Sequence, residues 1–225
     1  FGRPEAWQPV LWVLAAASMI LGNLVALRQT NMVRLLAYSS IAQGGFMLVP
    51  FAVAPDGSGT AATSSFEAVV IYILIYGAMN LGAFACVIAI ARRTGSAEIS
   101  SYDGLVQSSP ALAVIFSLFL FSLAGIPPLA GWFAKFVMFR AVLDAGTTAA
   151  VVLGVVAAVN SVIAFFYYAN VSRRMILEDP AEEHERVLTT PALNAALFVT
   201  AATTIVIGVY PQLFAKLGEF AAGVG

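Results

Sequence analysis

Long apolar runs separated by short polar turns make up almost the whole chain. The runs lie at about 7–27, 34–54, 66–91, 110–143, 149–171 and 191–214. About 20 predominantly apolar residues suffice to cross the hydrocarbon core of a bilayer as a helix, so each run predicts a membrane-spanning helix. The turns carry the polar residues: Arg28-Gln-Thr-Asn31, a Gly/Ser/Thr loop over 55–65, a loop over 94–109 with Glu98 and Asp103, and a charged loop over 173–190. Pro191 suits the first turn of the last helix. The runs do not alternate apolar and polar residues, which sets them apart from the strands of an outer-membrane barrel. The expected fold class is all-α: one polytopic transmembrane helical domain over residues 1–225 with about six spans.

The fourth run is too long for one straight span, and it contains Gly125-Ile-Pro127-Pro128. Prolines remove backbone donors and disrupt the helix around them, so this run predicts two half-helices broken near 125–128. Seven residues beyond Pro128 stands Lys135, flanked by Trp132, Phe133 and Phe136. An ionisable residue inside a membrane helix is costly, and marks a functional site by default. The alternative is a lysine that snorkels to the interface with its stem on lipid. Arg140 suits that role better, because Lys135 lies about 12 Å along the helix from Leu143. A desolvated lysine is a group suited to exchanging protons.

Two further polar stripes interrupt the apolar runs. Tyr38, Ser39, Ser40 and Gln43 crowd the first half of the second run, with Ser39 and Gln43 on one helix face. Tyr72, Tyr76 and Asn80 follow one another at i, i+4 and i+8 in the third. Such residues act either as interhelical hydrogen-bond partners or as the lining of a hydrated path; both readings stay open for Ser39, Ser40 and Gln43, while the tyrosine stripe taken alone reads as interhelical glue. Gly22 and Asn23 are of the kinds that serve helix–helix contacts, and the fifth run carries Asn160 and Ser161. Glu67 reads as interfacial, and His184 as a solvated loop residue.

Composition agrees with a membrane protein: 60% of the 225 residues are hydrophobic and 10% charged, with a mean hydropathy of +0.90. Soluble domains carry roughly 25% charged residues. A net charge of −1 argues against a nucleic-acid partner. The single cysteine, Cys86, can form no internal disulfide. The sequence has no Cys/His cluster, phosphate loop or nucleophile constellation, so no metal or redox cofactor is expected on this chain. Arginine placement orients the spans. Arg28, Arg34, Arg92, Arg93, Arg173, Arg174 and Arg186 fall on one side, against Arg3, Arg140 and Lys216 on the other. The positive-inside rule puts the first group in the cytoplasm and both termini outside. The chain opens on Phe1-Gly-Arg-Pro-Glu, without an initiator Met, and reads as part of a longer protein.

Leu21-Gly-Asn-Leu-Val-Ala-Leu-Arg-Gln-Thr-Asn31 and Arg34-Leu-Leu-Ala-Tyr-Ser-Ser-Ile-Ala-Gln-Gly-Gly-Phe46 resemble the antiporter-like subunits of bacterial respiratory complex I, subunit N above all. Gly82-Ala-Phe84, Tyr102-Asp-Gly-Leu105 and Ser122-Leu-Ala-Gly-Ile-Pro-Pro…Gly131-Trp-Phe-Ala-Lys-Phe136 match the same pattern in the same order. The match weakens after about Tyr168. The resemblance implies a protein of about fourteen helices built from two inverted repeats, of which this chain would be the last six helices. It implies that Lys135 is the lysine beside the broken helix, a member of the central polar axis that moves protons. Other charged members would lie upstream of Phe1. The expected activity is a proton-translocation channel of an NADH:quinone oxidoreductase. NADH, flavin, iron–sulfur clusters and quinone would be bound by other subunits. Expected partners are the other membrane-arm subunits, neighbouring antiporter-like subunits among them, and lipid; the expected location is the bacterial inner membrane. Two positions depart from the pattern. Val33 stands where the family usually has a lysine, and Gln43 where it often has a histidine. Glutamine cannot titrate, so a proton step at Gln43 requires water or hydrogen-bond rearrangement. The rival expectations are a subunit of a multi-subunit cation/proton antiporter and a non-conducting scaffold of the membrane arm.

Overall fold

The structure, a computed structural model, describes residues 4–54, 60–180 and 187–212. Among these residues it is nearly all helical, with no strand. The main helices are α1 (Pro4–Ala26), α2 (Met32–Ala52), α3 (Thr60–Thr94), α5 (Pro110–Ala124), α6 (Ala130–Ala145), α7 (Thr148–Leu177) and α8 (Pro191–Val209). Between α3 and α5 lie a 3₁₀ turn, Ile99–Tyr102, and the single-turn helix α4, Leu105–Ser108. Among the described residues, five helices are long and apolar enough to cross a membrane: α1, α2, α3, α7 and α8. The sixth spanning element is the pair α5 and α6, separated where the prolines interrupt the run. The expected six spans are therefore present, the fourth discontinuous.

Several boundaries differ from the apolar runs, for identifiable reasons. Helix α3 starts at Thr60 rather than 66, so part of the expected 55–65 loop is helical. Ala61 and Ala62 are strong helix formers, and no Gly or Pro follows Gly59 before Gly77. Helix α7 continues past 171 to Leu177, carrying Arg173 and Arg174 beyond the apolar stretch. Their charges are taken up there by Glu178 and Asp103. The loop expected over 94–109 is largely folded into the 3₁₀ turn and α4. Caps set other ends locally. The side chains of Asn31, Thr147 and Thr190 each accept a backbone N–H in the first turn of α2, α7 and α8, and Pro191 takes an initial position of α8 that needs no donor.

Small residues govern the packing of α1 on α2. A Cβ on Gly22 would lie 2.6 Å from the Ala42 nitrogen, and one on Gly45 would lie 2.8 Å from the Ala15 carbonyl. Backbones approach this closely in membranes only across glycine-sized contacts. A polar cluster joins α1 to α7. Asn23 Nδ2 donates to Asn160 Oδ1 (3.0 Å), Tyr167 Oη donates to Asn23 Oδ1 (3.0 Å), and Asn160 Nδ2 donates to the Val156 carbonyl (2.9 Å). Helix α3 touches α2, α5, α6 and α8, so its tyrosine face is turned inward.

Backbone bonds draw the arginine-bearing turns together at one end. The Met32 N–H donates to the Ala97 carbonyl (2.7 Å) and the Ile99 N–H to the Thr30 carbonyl (2.7 Å). The Gly104 N–H donates to the Arg174 carbonyl (3.1 Å). Arg174 grips Asp103 through both carboxylate oxygens at 2.6 Å. Arg28, Arg34, Arg92, Arg93, Arg173 and Arg174 thus share one end, and Arg140, paired with Asp144, occupies the other. At that second end Gln8 donates to the Ala54 carbonyl and Trp12 Nε1 to the Ala149 carbonyl. Arg3, His184, Arg186 and Lys216, together with the last residues of the 191–214 run, lie outside the described residues.

Candidate functional site

The site is organised by the break between α5 and α6. Gly125 ends α5 in the left-handed region (φ 92°, ψ 33°), where an L side chain is strained and glycine is not. Its N–H turns back to the Phe121 and Ser122 carbonyls, and the Ile126 N–H also reaches Phe121. These bonds close the helix end as a C-terminal cap. Pro127 and Pro128, joined by a cis peptide bond, cross to α6. Ser122 Oγ holds the two halves together: it accepts the Gly131 N–H (3.1 Å) and donates to Met79 Sδ on α3 (2.8 Å).

The last carbonyls of α5 have no partner within their own helix. Two side chains take them. Lys135 Nζ donates to the Ala124 carbonyl at 2.7 Å, and Gln43 Nε2 donates to the neighbouring Leu123 carbonyl at 3.1 Å. Lys135 is only 6% exposed, so its amine does not snorkel; it reaches back from α6 to the end of α5. Its stem crosses Gly125, where a Cβ would come within 2.7 Å of Cδ. The ammonium also sits 5.0 Å from the centroid of the Phe46 ring. No carboxylate pairs with Lys135 among the described residues. Placing a lysine at the centre of a membrane helix costs about 2.5–3.5 kcal/mol. A hydrogen bond to a charged group recovers about 1.5–3 kcal/mol, and the negative end of α5 favours a cation by a further fraction. Among the described residues the lysine is thus held by a helix end and a ring.

From Gln43 the polar contacts run toward the arginine-rich end. Tyr72 Oη donates to Gln43 Oε1 at 2.7 Å, which orients the amide so that its NH₂ faces Leu123. Ser39 and Tyr168 share a short hydroxyl–hydroxyl bond. Tyr76 Oη donates to Ser40 Oγ (2.6 Å), which donates to the Leu36 carbonyl (2.8 Å). The Tyr167 and Tyr168 rings lie 4.5 Å apart, joining this row to the Asn23–Asn160 cluster. The helix-end carbonyls only accept hydrogen bonds. A proton passing between Lys135 and the Gln43–Tyr72 pair therefore needs the amine to leave the Ala124 carbonyl, or a water to bridge.

The expected residues divide accordingly. Lys135, Gln43 and Tyr72 converge on the helix break formed by Gly125, Pro127 and Pro128. Ser39, Ser40 and Tyr76 continue from them as hydrogen-bonded pairs between helices. Asn80 does not join: it has no hydrogen-bond partner among the described residues. Glu67 lies apart, in a cleft between α3 and α6 shared with Arg140 and Asp144. Sequence reasoning did not single out Phe46, Ser122, Tyr168 or the carbonyls of Leu123 and Ala124. The serine opened the Ser122-Leu-Ala-Gly-Ile-Pro-Pro stretch and Tyr168 lay in an aromatic pair, but the carbonyls carry no residue-level signal at all. Among the described residues no group of His, Cys, Asp or Glu is arranged to hold a metal ion.

Comparison with known proteins follows the same residues. NAD(P)H-quinone oxidoreductase subunit 2 of Thermosynechococcus vestitus is 46% identical over 194 residues, covering 86% of this chain and 36% of that protein. The chain thus spans about a third of the length of the relatives it matches. Among solved structures, a subunit of the Mrp complex from Dietzia superposes with a TM-score of 0.83 at 23% identity, covering 96% of this chain and 47% of that one. A chain of respiratory complex I from Thermus thermophilus superposes with a TM-score of 0.76 at 22% identity, covering 99% and 46%. These two likenesses establish a shared fold. Residues 3–161, which carry the Arg34–Phe46 stretch, the helix break and Lys135, match the family described as NADH:quinone oxidoreductase/Mrp antiporter, transmembrane, and the chain is a multi-pass membrane protein belonging to that family.

Proposed function

We propose that this chain is a membrane-arm subunit of a proton-translocating NAD(P)H:quinone oxidoreductase and forms part of one proton channel. The observation that carries the reading is Lys135: a buried amine with no carboxylate partner among the described residues, held on the end of a broken helix beside a row of hydroxyls and one amide. An ion pair would anchor the proton on such an amine; a carbonyl and an aromatic ring leave it free to depart. Gln43 and Tyr72 orient the groups beside it, and Gln43 passes protons by rearrangement rather than by titration. Hydride and electron transfer belong to other subunits, which would hold NADH, flavin, iron–sulfur clusters and quinone. The arginine-rich end faces the cytoplasm of a bacterial inner membrane, and the partners are the neighbouring membrane-arm subunits and lipid.

Relatives 41–46% identical to this chain are NAD(P)H-quinone oxidoreductase subunits, which supports this reading over an antiporter. The test is Lys135→Ala in the assembled complex, with NADH-driven proton uptake measured in vesicles beside NADH:quinone turnover. Proton uptake falls while the complex still assembles. Wild-type uptake in a well-assembled variant would refute the channel and leave a scaffold. Sodium-dependent transport by a complex without an NADH-oxidising arm would establish the antiporter instead.

A further inference from the structure

Helix α8 lies beyond the family-matched residues, yet it reaches the break. Near its start the Val187 N–H donates to Ser109 Oγ at the head of α5 (2.8 Å). Near its other end Gly208 is buried against the crossing itself. A Cβ on Gly208 would overlap the Pro128 carbonyl oxygen and lie 2.7 Å from Leu129 Cα. The Gly208 carbonyl is one of the last of α8, without an intrahelical partner, and it accepts Trp132 Nε1–H at 3.0 Å. Trp132 stands in the first turn of α6, three residues before Lys135 and on a neighbouring part of the same face. Its ring packs on Phe133 and Phe136, the residues flanking the lysine, at 6.0 and 5.9 Å.

We infer that α8, through Gly208 and Trp132, is the positioning element that sets the rotation of α6 and so keeps Lys135 on the Ala124 carbonyl. Lys135 belongs to α6 but its hydrogen-bond partner belongs to α5, so the contact exists at one relative rotation of the two half-helices. Ser122 Oγ to the Gly131 N–H ties the two halves at the start of α6, and α2, α3 and α7 pack along its sides. The Trp132–Gly208 bond adds a directional tie from α8, and glycine at 208 allows the backbones to meet. Trp132 and Gly208 are positioning residues, acting through Lys135. The inference rests on the proposed role of Lys135 in proton transfer.

The experiment compares Trp132→Phe, Gly208→Ala and Trp12→Phe in the assembled complex. Trp12 Nε1 donates to the Ala149 carbonyl at 2.9 Å, far from the break, so its removal loses the same type of bond elsewhere. Trp132→Phe and Gly208→Ala lower proton uptake per quinone reduced by about threefold to tenfold, the rate equivalent of one lost hydrogen bond. Trp12→Phe leaves it unchanged. A second readout follows position directly: the thiol introduced by Lys135→Cys reacts several times faster with a membrane-permeant methanethiosulfonate when Trp132→Phe is also present. Wild-type uptake in Trp132→Phe, equal losses in Trp132→Phe and Trp12→Phe, or unchanged thiol reactivity would each overturn the inference. If Gly208→Ala fails to assemble, the Trp132→Phe results decide alone. If Lys135→Ala itself transports normally, the proton-channel reading falls first and this role of α8 falls with it.

Discussion

Adding one methyl group at Gly125 tests whether the grip of Lys135 on the end of α5 matters. Gly125→Ala has two separable effects. The first is backbone strain: at φ 92° an alanine costs about 1–2 kcal/mol relative to its preferred conformations. The second is contact. The new Cβ would lie 2.7 Å from Lys135 Cδ, 3.2 Å from Cε and 3.3 Å from Nζ. Carbon atoms rest at about 3.5–4.0 Å, so the lysine stem must retreat by roughly 1 Å. The amine hydrogen bond to Ala124 is 2.7 Å long, and a retreat of that size breaks it. A hydrogen bond to a charged group is worth about 1.5–3 kcal/mol, so the rate of any proton step using this geometry falls by about tenfold to a hundredfold. Gly146→Ala is the control. Gly146 also has a positive φ, 62°, yet nothing lies within 4 Å of its Cβ position, so it suffers the strain without the contact. The assay is initial NADH-driven proton uptake in vesicles, normalised to assembled complex by native gel. Gly125→Ala should pump about tenfold or more slowly than Gly146→Ala. Equal uptake by the two variants would refute the argument that the carbonyl grip serves transport.

Tyr72→Phe removes the donor that orients Gln43 and leaves a buried amide oxygen unpaired, a cost of about 1–3 kcal/mol. The complex should assemble with proton uptake lowered about tenfold, and unaltered uptake would reduce the pair to packing. Asp103→Asn loses the charge gripped by Arg174 while keeping the shape. With these side chains 12% and 28% exposed, the loss is about 1.5–3 kcal/mol. It should appear as a lower midpoint for thermal dissociation, with proton uptake per assembled complex unchanged; a selective loss of uptake would instead place this pair on the proton path.

The sequence alone determined the fold class, the number of spans and the location of the break, because these follow from one-dimensional signals. Apolar run length sets whether a helix can span, and Gly125, Pro127 and Pro128 act through their own backbones. Lys135 stood out for the same reason, since a charge within an apolar run is costly wherever the run packs. Helix ends were read less well. Arg173 and Arg174 extend α7 because Glu178 at its end and Asp103 on another segment receive their charges, and Asn80 drops out of the tyrosine stripe for want of a partner on a neighbouring helix. The partners of Lys135 were decided only by tertiary structure. A carbonyl belongs to every residue alike, so no residue type announces that Leu123 and Ala124 end a half-helix beneath Gln43 and Lys135. Nor does any local pattern announce Gly208, more than seventy residues downstream, as the neighbour of Pro128. Those contacts exist because helices from distant parts of the chain meet at the break, where an interrupted backbone leaves acceptors that other elements must satisfy.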